Sequence, residues 1–221
     1  MLRQFLTSKI TREKLDPFIQ RHASDKRTLD IGCANSAYSR HFPNRVGLDI
    51  EPGTGVDVVA DAHDLPFPDS SFELVLCTEV LEHLHTPQRG IDEMYRVLAP
   101  GGTLLLTTRF VFPLHDTPHD YFRYTKYGLK HLMKAFEEVT LEEETSSFGT
   151  VGVLFQRLAM QCDFRGGVVV KIFLLLLARC LHLLQFLVRD EYGKRMPNSH
   201  KESAILTSGY YVTAKKPIAS A

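Results

Sequence analysis

Two histidine–aspartate pairs stand close together in residues 113–125, which read PLHDTPHDYFRYT. An imidazole titrates near neutral pH, so His115 or His119 can act as a general base that removes a proton from a hydroxyl nucleophile. The segment would then form a lid over a substrate. In an alternative interpretation, compatible with the first, Asp120 and Thr125 cap the next helix and the aromatic residues pack on a sheet. The pattern lacks a third metal ligand, so we expect no metal site.

A turn of small residues follows a short buried run, and residues 29–37 read LDIGCANSA. A dinucleotide site at such a turn uses the pattern GxGxxG, because its glycines let the backbone approach a pyrophosphate. Ala34 and Ala37 occupy the second and third glycine positions, which disfavours that class of cofactor. S-adenosylmethionine (SAM) has no phosphate and relaxes the requirement. Asp49 lies 17 residues after Gly32 and can accept both ribose hydroxyls of an adenosine, or it is a turn or cap aspartate.

Strand-like and helix-like runs alternate along the chain, which predicts an α/β fold with a doubly wound sheet. The expected strands are 27–32, 44–50, 56–62, 71–80, 102–108, 136–144 and 208–216, and the expected helices are 9–22, 88–98 and 125–136. Only residues 51–56 separate the second and third strands. Since a parallel crossover normally needs a dozen residues or more, we expect no helix there and a short third strand.

Four motifs lie in order along residues 28–108: LDIGCANSAYS, GLDIEP, VVADAHDLPFPDSSFELVLCTEVLEHL and EMYRVLAPGGTLLLTT. Their order and spacing resemble those of class I SAM-dependent methyltransferases of the UbiE-like type. The later stretch HDYFRYT is similar to the HDYxRYT stretch of a bacterial subgroup of these proteins. The resemblance implies a Rossmann-like seven-stranded sheet, SAM as the cofactor and methyl transfer as the activity.

The resemblance also implies which residues bind the cofactor. The methionine end of SAM would contact Asp30, Gly32, Cys33 and Ala34. The ribose and adenine would contact Asp49 and Ile50, and the adenine edge would contact Asp61 and Ala62. The sulfonium side would border Thr78 and Glu79, with His83 behind them. The chain departs from the family's usual GxGxG turn, with Ala34 and Ser36 at the later glycine positions. Both residues are small, so we expect SAM binding to be retained.

Several of these residues also have a structural interpretation. Asp61 can be a solvated loop residue. The stretch LPFPDSSF, residues 65–72, can be a structural turn whose phenylalanines pack under the sheet. Glu82 and His83 belong either to the site or to a helix N-terminal turn that favours carboxylates.

Residues 168–189 form a long apolar run of nearly membrane-spanning length. At about 100° per residue, one side of a helix collects its polar residues, which are Lys171, Arg179, His182, Gln185 and Arg189. Charges at mid-bilayer cost roughly 2.5–3.5 kcal/mol each, so a membrane span is disfavoured. A helix in the membrane interface, with its basic side chains on lipid headgroups, or a helix over an apolar substrate tunnel fits better. The alternative is a helix buried against the domain or a dimer partner.

The composition excludes some classes of protein. Lys plus Arg equals Asp plus Glu, at 26 each, so nothing favours nucleic acid as a partner. The four cysteines have no CxxC or CxxH spacing, which indicates a reducing compartment without structural zinc. The N-terminus has no apolar signal sequence. We therefore expect a cytoplasmic protein, with peripheral contact to the inner face of a membrane through residues 168–189.

Together these features predict one methyltransferase domain over residues 1–221, with a helical insertion at 146–206 before the last strand. The expected reaction moves the SAM methyl group to a small-molecule acceptor, for which the apolar insertion favours a hydrophobic or lipid-linked compound. Two other classes stay open. One is a non-catalytic SAM-binding or scaffold protein, and the other is a nucleotide-cofactor oxidoreductase on the same fold.

Overall fold

The computed structural model describes residues 2–34, 38–188 and 205–218. Its seven strands are β1 (Thr28–Ile31), β2 (Arg45–Asp49), β3 (Val58–Val59), β4 (Phe72–Thr78), β5 (Leu98–Arg109), β6 (Glu137–Glu143) and β7 (Gly209–Lys215). Its α-helices are α1 (Leu2–Thr7), α2 (Arg12–Arg21), α3 (Pro87–Val97), α4 (Lys126–Leu132), α5 (Ser147–Gln161) and α6 (Gly167–Leu183). Short 3₁₀ helices cover Ser39–His41, Leu81–His83 and Leu184–Leu187.

The strands form one sheet in the order β3-β2-β1-β4-β5-β7-β6. The first five strands of the chain pair in parallel. β7 runs antiparallel to β5, because Ser208 bonds to Phe110 beyond the end of β5 while Lys216 bonds to Gly101 and Gly102 near its start. The predicted seven-stranded, Rossmann-like doubly wound sheet is therefore confirmed, with a reversed strand at one side.

The central strands are apolar because both of their faces are covered, as parallel strands require. All four residues of β1 are buried, and β4 buries every side chain from Leu74 to Cys77. Cys33 and Cys77 are buried thiols of this core. Because the carboxyl ends of parallel strands meet at one edge, β1, β2 and β4 deliver their following loops to the same place.

The connection between β2 and β3 contains no helix, and β3 has only two residues, as predicted. The chain returns tightly here because Gly47 has no side chain. A Cβ at Gly47 would lie 2.3 Å from the Gly55 carbonyl oxygen and 2.7 Å from Cys33 Sγ. Arg45 Nη2 donates to the same Gly55 oxygen at 2.8 Å, which holds the returning loop against the strand.

The predicted elements differ from the observed ones mainly at their ends. β5 begins at Leu98 rather than at residue 102, and α4 ends at Leu132 rather than at residue 136. The predicted third strand over 56–62 is correct only at Val58–Val59. The predicted lead-in helix over 9–22 begins at Arg12, after the separate helix α1.

The chain divides into two compact units. The sheet unit comprises residues 17–109, 115–142 and 210–221, and the helical unit comprises 1–16, 110–114 and 143–209. The helical unit thus includes the start of the chain as well as most of the range expected for an insertion. The description as one domain with an insertion at 146–206 stays a prediction.

In the helical unit, α5 and α6 pack closely, and Ile10, Phe112, Val153 and Ala178 form a core cluster. At the crossing a Cβ on Gly152 would lie only 2.7 Å from the Ala178 carbonyl oxygen. Glycine is therefore needed at this close approach of two backbones.

The polar side of α6 faces its own unit, which corrects the expectation that its basic side chains reach lipid headgroups. Arg179 is buried and its Nη1 lies 3.1 Å from Glu13 Oε1. His182 Nε2 lies 2.6 Å from the other oxygen of the same carboxylate, and Lys171 Nζ lies 2.9 Å from Asp163 Oδ1. Arg189 lies outside the described residues. The apolar side of the helix points outward instead.

The stretch Gly167–Leu187 has 21 residues and a mean hydropathy of 2.2, enough to cross a membrane by length and composition alone. Only 11% of its most apolar 18 residues are buried. The interpretation as a helix buried against the domain is therefore wrong for the described chain.

Candidate cofactor and active site

A cavity of ≈ 680 Å³ opens in the sheet unit at the carboxyl ends of β1, β2 and β4. Its volume is in the range of small-molecule and cofactor sites. The residues that line it are Ile31 and Gly32, Leu48 to Glu51, Ala60 to His63, Thr78 to Val80, His83 to His85, Asp116, His119 and Tyr121. A doubly wound sheet binds its ligand in this position.

The turn after β1 is fixed by a glycine that no other residue can replace without strain. Gly32 has a φ of +73°, and a Cβ there would lie 2.2 Å from Val80 Cγ2. The backbone N–H groups of Gly32 and Cys33 both donate to the Leu48 carbonyl oxygen, at 2.8 and 3.2 Å. The turn is thereby held against the end of β2.

Asp49 ends β2 and lies at the wall of the cavity, half-buried. Its Oδ2 accepts the Ala34 N–H at 3.0 Å, and its Oδ1 accepts the Glu51 N–H at 3.3 Å. Each carboxylate oxygen has a further lone pair. The side chain is thus pre-oriented by backbone donors while it can still accept bonds from two ligand hydroxyls.

Asp61 forms a pair with His63 at the same wall. Asp61 Oδ1 lies 2.6 Å from His63 Nδ1 and accepts the His63 backbone N–H at 2.9 Å. Burial tends to raise the pKa of Asp61, but the hydrogen bonds and charge of His63 outweigh it and lower that pKa. His63 Nε2 accepts the Thr86 N–H, and the His63 ring stacks on His85 at a centroid distance of 4.2 Å.

The interpretation of Asp61 as a solvated loop residue is incomplete, because this carboxylate is tied to a buried imidazole. Sequence reasoning missed His63 and His85 altogether. The available signal was the position of His63, which directly follows Asp61 and Ala62.

Glu79 follows β4 with a φ of +58°, which is unusual for a side chain with a Cβ. Its N–H donates to the Thr107 carbonyl oxygen at 3.0 Å, and its carboxylate pairs with the guanidinium of Arg109. Arg109 is buried, and sequence reasoning did not identify it. The pair holds a strained, charged residue at the cavity wall, which is typical of functional sites.

The loop after β5 places its two histidines differently. His119 is exposed at the cavity, with its Nδ1 3.1 Å from the Tyr121 hydroxyl. His115 does not line the cavity. Its Nδ1 lies 3.3 Å from Asp120 Oδ2 and its Nε2 lies 3.8 Å from Glu82 Oε1.

Charges around this loop shift two pKa values. Burial of the His115 ring opposes its protonation, but the carboxylates of Glu82 and Asp120 outweigh burial and raise the pKa of His115. Hydrogen bonds from Arg123 lower the pKa of Asp120 to about 2. His115 and Asp120 therefore belong to a charged network beside the cavity.

The capping interpretation of this loop is correct only in part. Thr125 caps α4, since its Oγ1 accepts the Gly128 N–H at 3.1 Å. Asp120 does not cap the helix, because its carboxylate binds Arg123. Among the aromatic residues, Tyr124 is buried and donates to the Leu81 carbonyl oxygen, whereas Tyr121 and Phe122 are exposed.

The cavity brings together most of the residues expected from the sequence. Those at its wall are Gly32, Asp49, Ile50, Asp61, Ala62, Thr78, Glu79, His83 and His119. Those that do not line it are Asp30, Cys33, Ala34, Glu82 and His115. Asp30 is buried, and its Oδ2 lies 3.3 Å from Arg45 Nη1. Residues 35–37, which complete the turn, lie outside the described residues, so the cofactor roles stay predictions.

Comparison with known proteins assigns this architecture. Residues 29–106 match the family model described as a methyltransferase domain. A protein of Mycolicibacterium smegmatis, named a probable S-adenosylmethionine-dependent methyltransferase, is 31% identical over 135 residues, which are 55% of this chain and 51% of that protein. Residues 29–106 are thus similar to a methyltransferase domain, and the seven-stranded sheet has the fold of class I methyltransferases.

Solved structures share the fold of this chain. A SAM-dependent methyltransferase from Archaeoglobus fulgidus has a TM-score of 0.58 at 16% identity, covering 94% of this chain and 93% of its own. The [4+2]-cyclase SpnF has a TM-score of 0.59 at 19% identity, covering 93% of this chain and 81% of its own. At these identities the likeness concerns the fold. The chain spans about half the length of the curated relatives it matches.

The described residues at the cavity fit SAM. The cavity has the size of a cofactor site, the Gly32 turn lies at its wall with a φ of +73° that favours glycine, and Asp49 presents oriented carboxylate oxygens. Residues 65–72 have a structural role instead, because their backbone is held by Arg96. Arg96 Nη1 donates to the Phe67 carbonyl oxygen at 2.7 Å and its Nη2 donates to the Leu65 oxygen at 2.9 Å.

Proposed function

We propose that this chain transfers the methyl group of SAM to a small-molecule acceptor by in-line displacement. The acceptor's nucleophilic atom forms a bond to the methyl carbon while the carbon–sulfur bond breaks. The sulfur keeps the electron pair, and the acceptor's proton goes to a base. The observation that carries the proposal is the presence of Asp49, the Gly32 turn and His119 at one cavity of a methyltransferase domain.

The cofactor would be held by groups that the fold already orients. We assign its ribose hydroxyls to Asp49 and its adenine to the wall formed by Ile50, Asp61 and Ala62. Thr78 and Glu79 would border the sulfonium, where the Glu79 carboxylate complements its positive charge. Asp30 pairs with Arg45 away from the cavity, so we assign it a positioning role under the turn.

For the proton we assign His119 as the base, because its ring is at the cavity and within reach of solvent. His115 lies outside the cavity wall, so its expected role as a base is replaced by a role in the charged network. Proximity and orientation can supply much of the rate enhancement in such a displacement. The base then adds a smaller factor of about 10² to 10⁴.

The finer family assignment is also a proposal. The motifs of residues 28–108 support the UbiE-like type, and the stretch HDYFRYT supports the HDYxRYT subgroup. A non-catalytic SAM-binding protein stays the second candidate. The structural similarity to a protein named a cyclase concerns the fold, and the fold alone does not dictate methyl transfer.

The test measures transfer of labelled methyl from SAM into a lipid extract and a soluble extract in parallel. We expect label in the lipid extract, and we expect His119→Ala to lower turnover at least tenfold while SAM affinity changes little. His131→Ala, at an exposed position on α4, is the matched control. Tight SAM binding without label in any fraction would contradict methyl transfer and favour the non-catalytic candidate.

We further propose that the outward face of α6 binds a lipid bilayer and that the acceptor is membrane-borne. Thirteen of the nineteen large hydrophobic side chains exposed in the described chain belong to the helical unit. On α6 and the following 3₁₀ helix they are Val168, Val169, Ile172, Phe173, Leu176, Leu183, Phe186 and Leu187. Exposed apolar patches of this kind mark contact sites.

The length, composition and charge of this apolar face favour contact with lipid over contact with water or a polar partner. The 21 residues of Gly167–Leu187 extend over about 31 Å at 1.5 Å per residue, so the exposed apolar face is long enough for contact with lipid along the membrane surface. No Asp or Glu occurs in this stretch, and the side chains of Lys171 and Arg179 are engaged within the helical unit. The proposed location is therefore the cytoplasmic side of a membrane, with the apolar face of α6 in the lipid.

A further inference from the structure

A buried carboxylate oxygen in the sheet unit has no hydrogen-bond partner. Glu82 is fully buried in the 3₁₀ helix Leu81–His83, and its Oε2 accepts the Thr108 hydroxyl at 2.7 Å. Within the described chain its Oε1 accepts no hydrogen bond. His115 Nε2 lies 3.8 Å from Oε1, beyond hydrogen-bond distance. Buried polar atoms are normally paired, so this oxygen points to a missing positive partner.

Two imidazoles face this oxygen. Glu82, His83 and His115 each offer one ligand atom, and these three atoms lie within 4.8 Å of one another. The rings of His83 and His115 meet edge to face at a centroid distance of 4.9 Å. Two histidines and one carboxylate are the donor set of many catalytic zinc sites.

The far side of each candidate ligand is already oriented. His83 Nδ1 lies 2.9 Å from the His119 carbonyl oxygen, which can only accept, so this nitrogen carries the proton and Nε2 keeps its lone pair. His115 Nδ1 is turned toward Asp120 Oδ2 at 3.3 Å, and its Nε2 is the atom turned toward Glu82. Metal-binding histidines are typically fixed in this way by a carbonyl or carboxylate on the second nitrogen.

We propose that Glu82, His83 and His115 bind a transition-metal dication of the Zn²⁺ class, through Glu82 Oε1 and the two Nε2 atoms. Ligand bonds of about 2.0–2.1 Å would draw the three ligand atoms closer together than they lie in this structure. His83 and Asp116 line the cavity, and His83 Nε2 lies 3.9 Å from Asp116 Oδ2. The fourth position therefore faces the cavity, as in catalytic sites that keep one position open.

The sequence alone argued against a metal because residues 113–125 lack a third ligand. The fold supplies Glu82 and His83 from the 3₁₀ helix that follows β4, more than thirty residues before His115 in the chain. A metal ion here would lower the pKa of an acceptor hydroxyl that binds it. That catalytic use rests on the proposed methyl transfer, whereas metal binding does not.

The test uses the untagged chain of 221 residues, stripped with a chelator and dialysed. Zn²⁺ is titrated by calorimetry and Co²⁺ by visible absorption, which reports nitrogen and oxygen ligands directly. We expect one ion per chain, and at least tenfold weaker binding, about 1.4 kcal/mol, for His83→Ala, His115→Ala and Glu82→Gln. His85→Ala is the matched control, because His85 stacks on His63 outside the cluster, and it should bind as the wild type does.

Thermal unfolding of the metal-free variants separates lost ligands from lost structure, because Glu82→Gln keeps the side-chain volume and the contact to Thr108. A wild-type chain that binds no ion, or that binds one equally well after Glu82→Gln and His115→Ala, would overturn the site. The buried pair would then be a plain ion pair between Glu82 and a protonated His115. Metal binding through the three residues without any methyl transfer would support the site and contradict only the proposed function.

Discussion

Neighbouring protein groups fix the orientation of individual side chains at the cavity. Asp49 accepts N–H groups from both Ala34 and Glu51, so its carboxylate is fixed before any ligand arrives. Glu79 is fixed by its pairing with Arg109. Preorganised charges of this kind bind a ligand without a further cost of reorganisation.

We expect Asp49→Ala to weaken SAM affinity at least tenfold, about 1.4 kcal/mol. Two hydroxyl bonds to a charged acceptor are lost, and each is stronger than a bond between neutral groups. Calorimetric titration of SAM measures the effect, with Asp64→Asn as an exposed acidic control from the neighbouring loop. Wild-type affinity in Asp49→Ala would remove this residue from the site.

Sequence analysis identified the residues whose role follows from their position relative to nearby elements. Gly32 and Asp49 stand at fixed distances from predicted strand ends, so they could be named from order and spacing alone. Arg109 and His85 could not, because their partners are Glu79 and His63, which lie 30 and 22 residues away along the chain. For Glu82 the sequence left a site role and a structural role open, because its neighbour His115 lies 33 residues later.

Among the elements, α3 and the loop before β4 are joined by one side chain. Arg96 of α3 donates to the carbonyl oxygens of Leu65 and Phe67 and also binds the carboxylates of Asp69 and Glu93. The structural interpretation of residues 65–72 is thereby supported. Glu93 also accepts the Leu65 N–H at 2.8 Å, so this carboxylate fixes both the arginine and the loop.

The stability contributed by Glu93 should depend on pH. Hydrogen bonds from Arg96 are the largest cause that lowers the pKa of Glu93. A carboxyl group whose pKa is lowered on folding contributes stability above its unfolded pKa of about 4.3, and this contribution is lost as the pH falls through the folded value. Glu93→Gln should therefore unfold at lower urea concentration than the wild type at about pH 7, by roughly 1–2 kcal/mol.

The two proteins should converge as the pH falls from about 4.3 through the lowered pKa of Glu93, because the wild-type carboxyl group then takes up a proton. Asp25→Asn, at an exposed position, serves as the control and should show no such convergence. An equal difference between Glu93→Gln and the wild type above and below this pH range would show that the carboxylate charge does not stabilise the loop.

Element boundaries show where sequence patterns lose information. The alternation of strands and helices predicted seven strands and the absent helix before β3, because hydrophobic period and loop length are local properties. The early start of β5 at Leu98 was not predictable, since residues 100–102 have the composition of a turn. In the structure Leu98 pairs with Phe72 of β4, and Gly101 and Gly102 bond to Lys216.

The whole chain combines a sheet unit with a helical unit that carries most of the exposed large hydrophobic side chains of the described residues. The sequence predicted the two sides of α6, but it could not say which side faces outward. The fold decides this through Glu13, which lies more than 160 residues from Arg179 and His182 and turns both of them inward. Lipid binding should therefore depend on apolar side chains and only weakly on charge.

We expect the wild-type chain to float with both neutral and anionic liposomes in a density gradient. Replacing Ile172, Phe173 and Leu176 with Glu should lower the bound fraction at least tenfold, because each is an exposed hydrophobic residue whose transfer to lipid is worth roughly 1.5–3 kcal/mol. Tyr127→Glu, on the exposed side of α4 in the sheet unit, should float as the wild type does. SAM binding by each variant controls for folding.

The dependence on lipid charge separates the two orientations of α6. Flotation with anionic liposomes alone would mean that basic side chains make the contact, contrary to the inward position of Arg179. A chain that stays unbound at every lipid composition would contradict the membrane proposal and leave its apolar face to a protein partner. Neither result would alter the cavity at the carboxyl ends of β1, β2 and β4, because every residue that lines it belongs to the sheet unit.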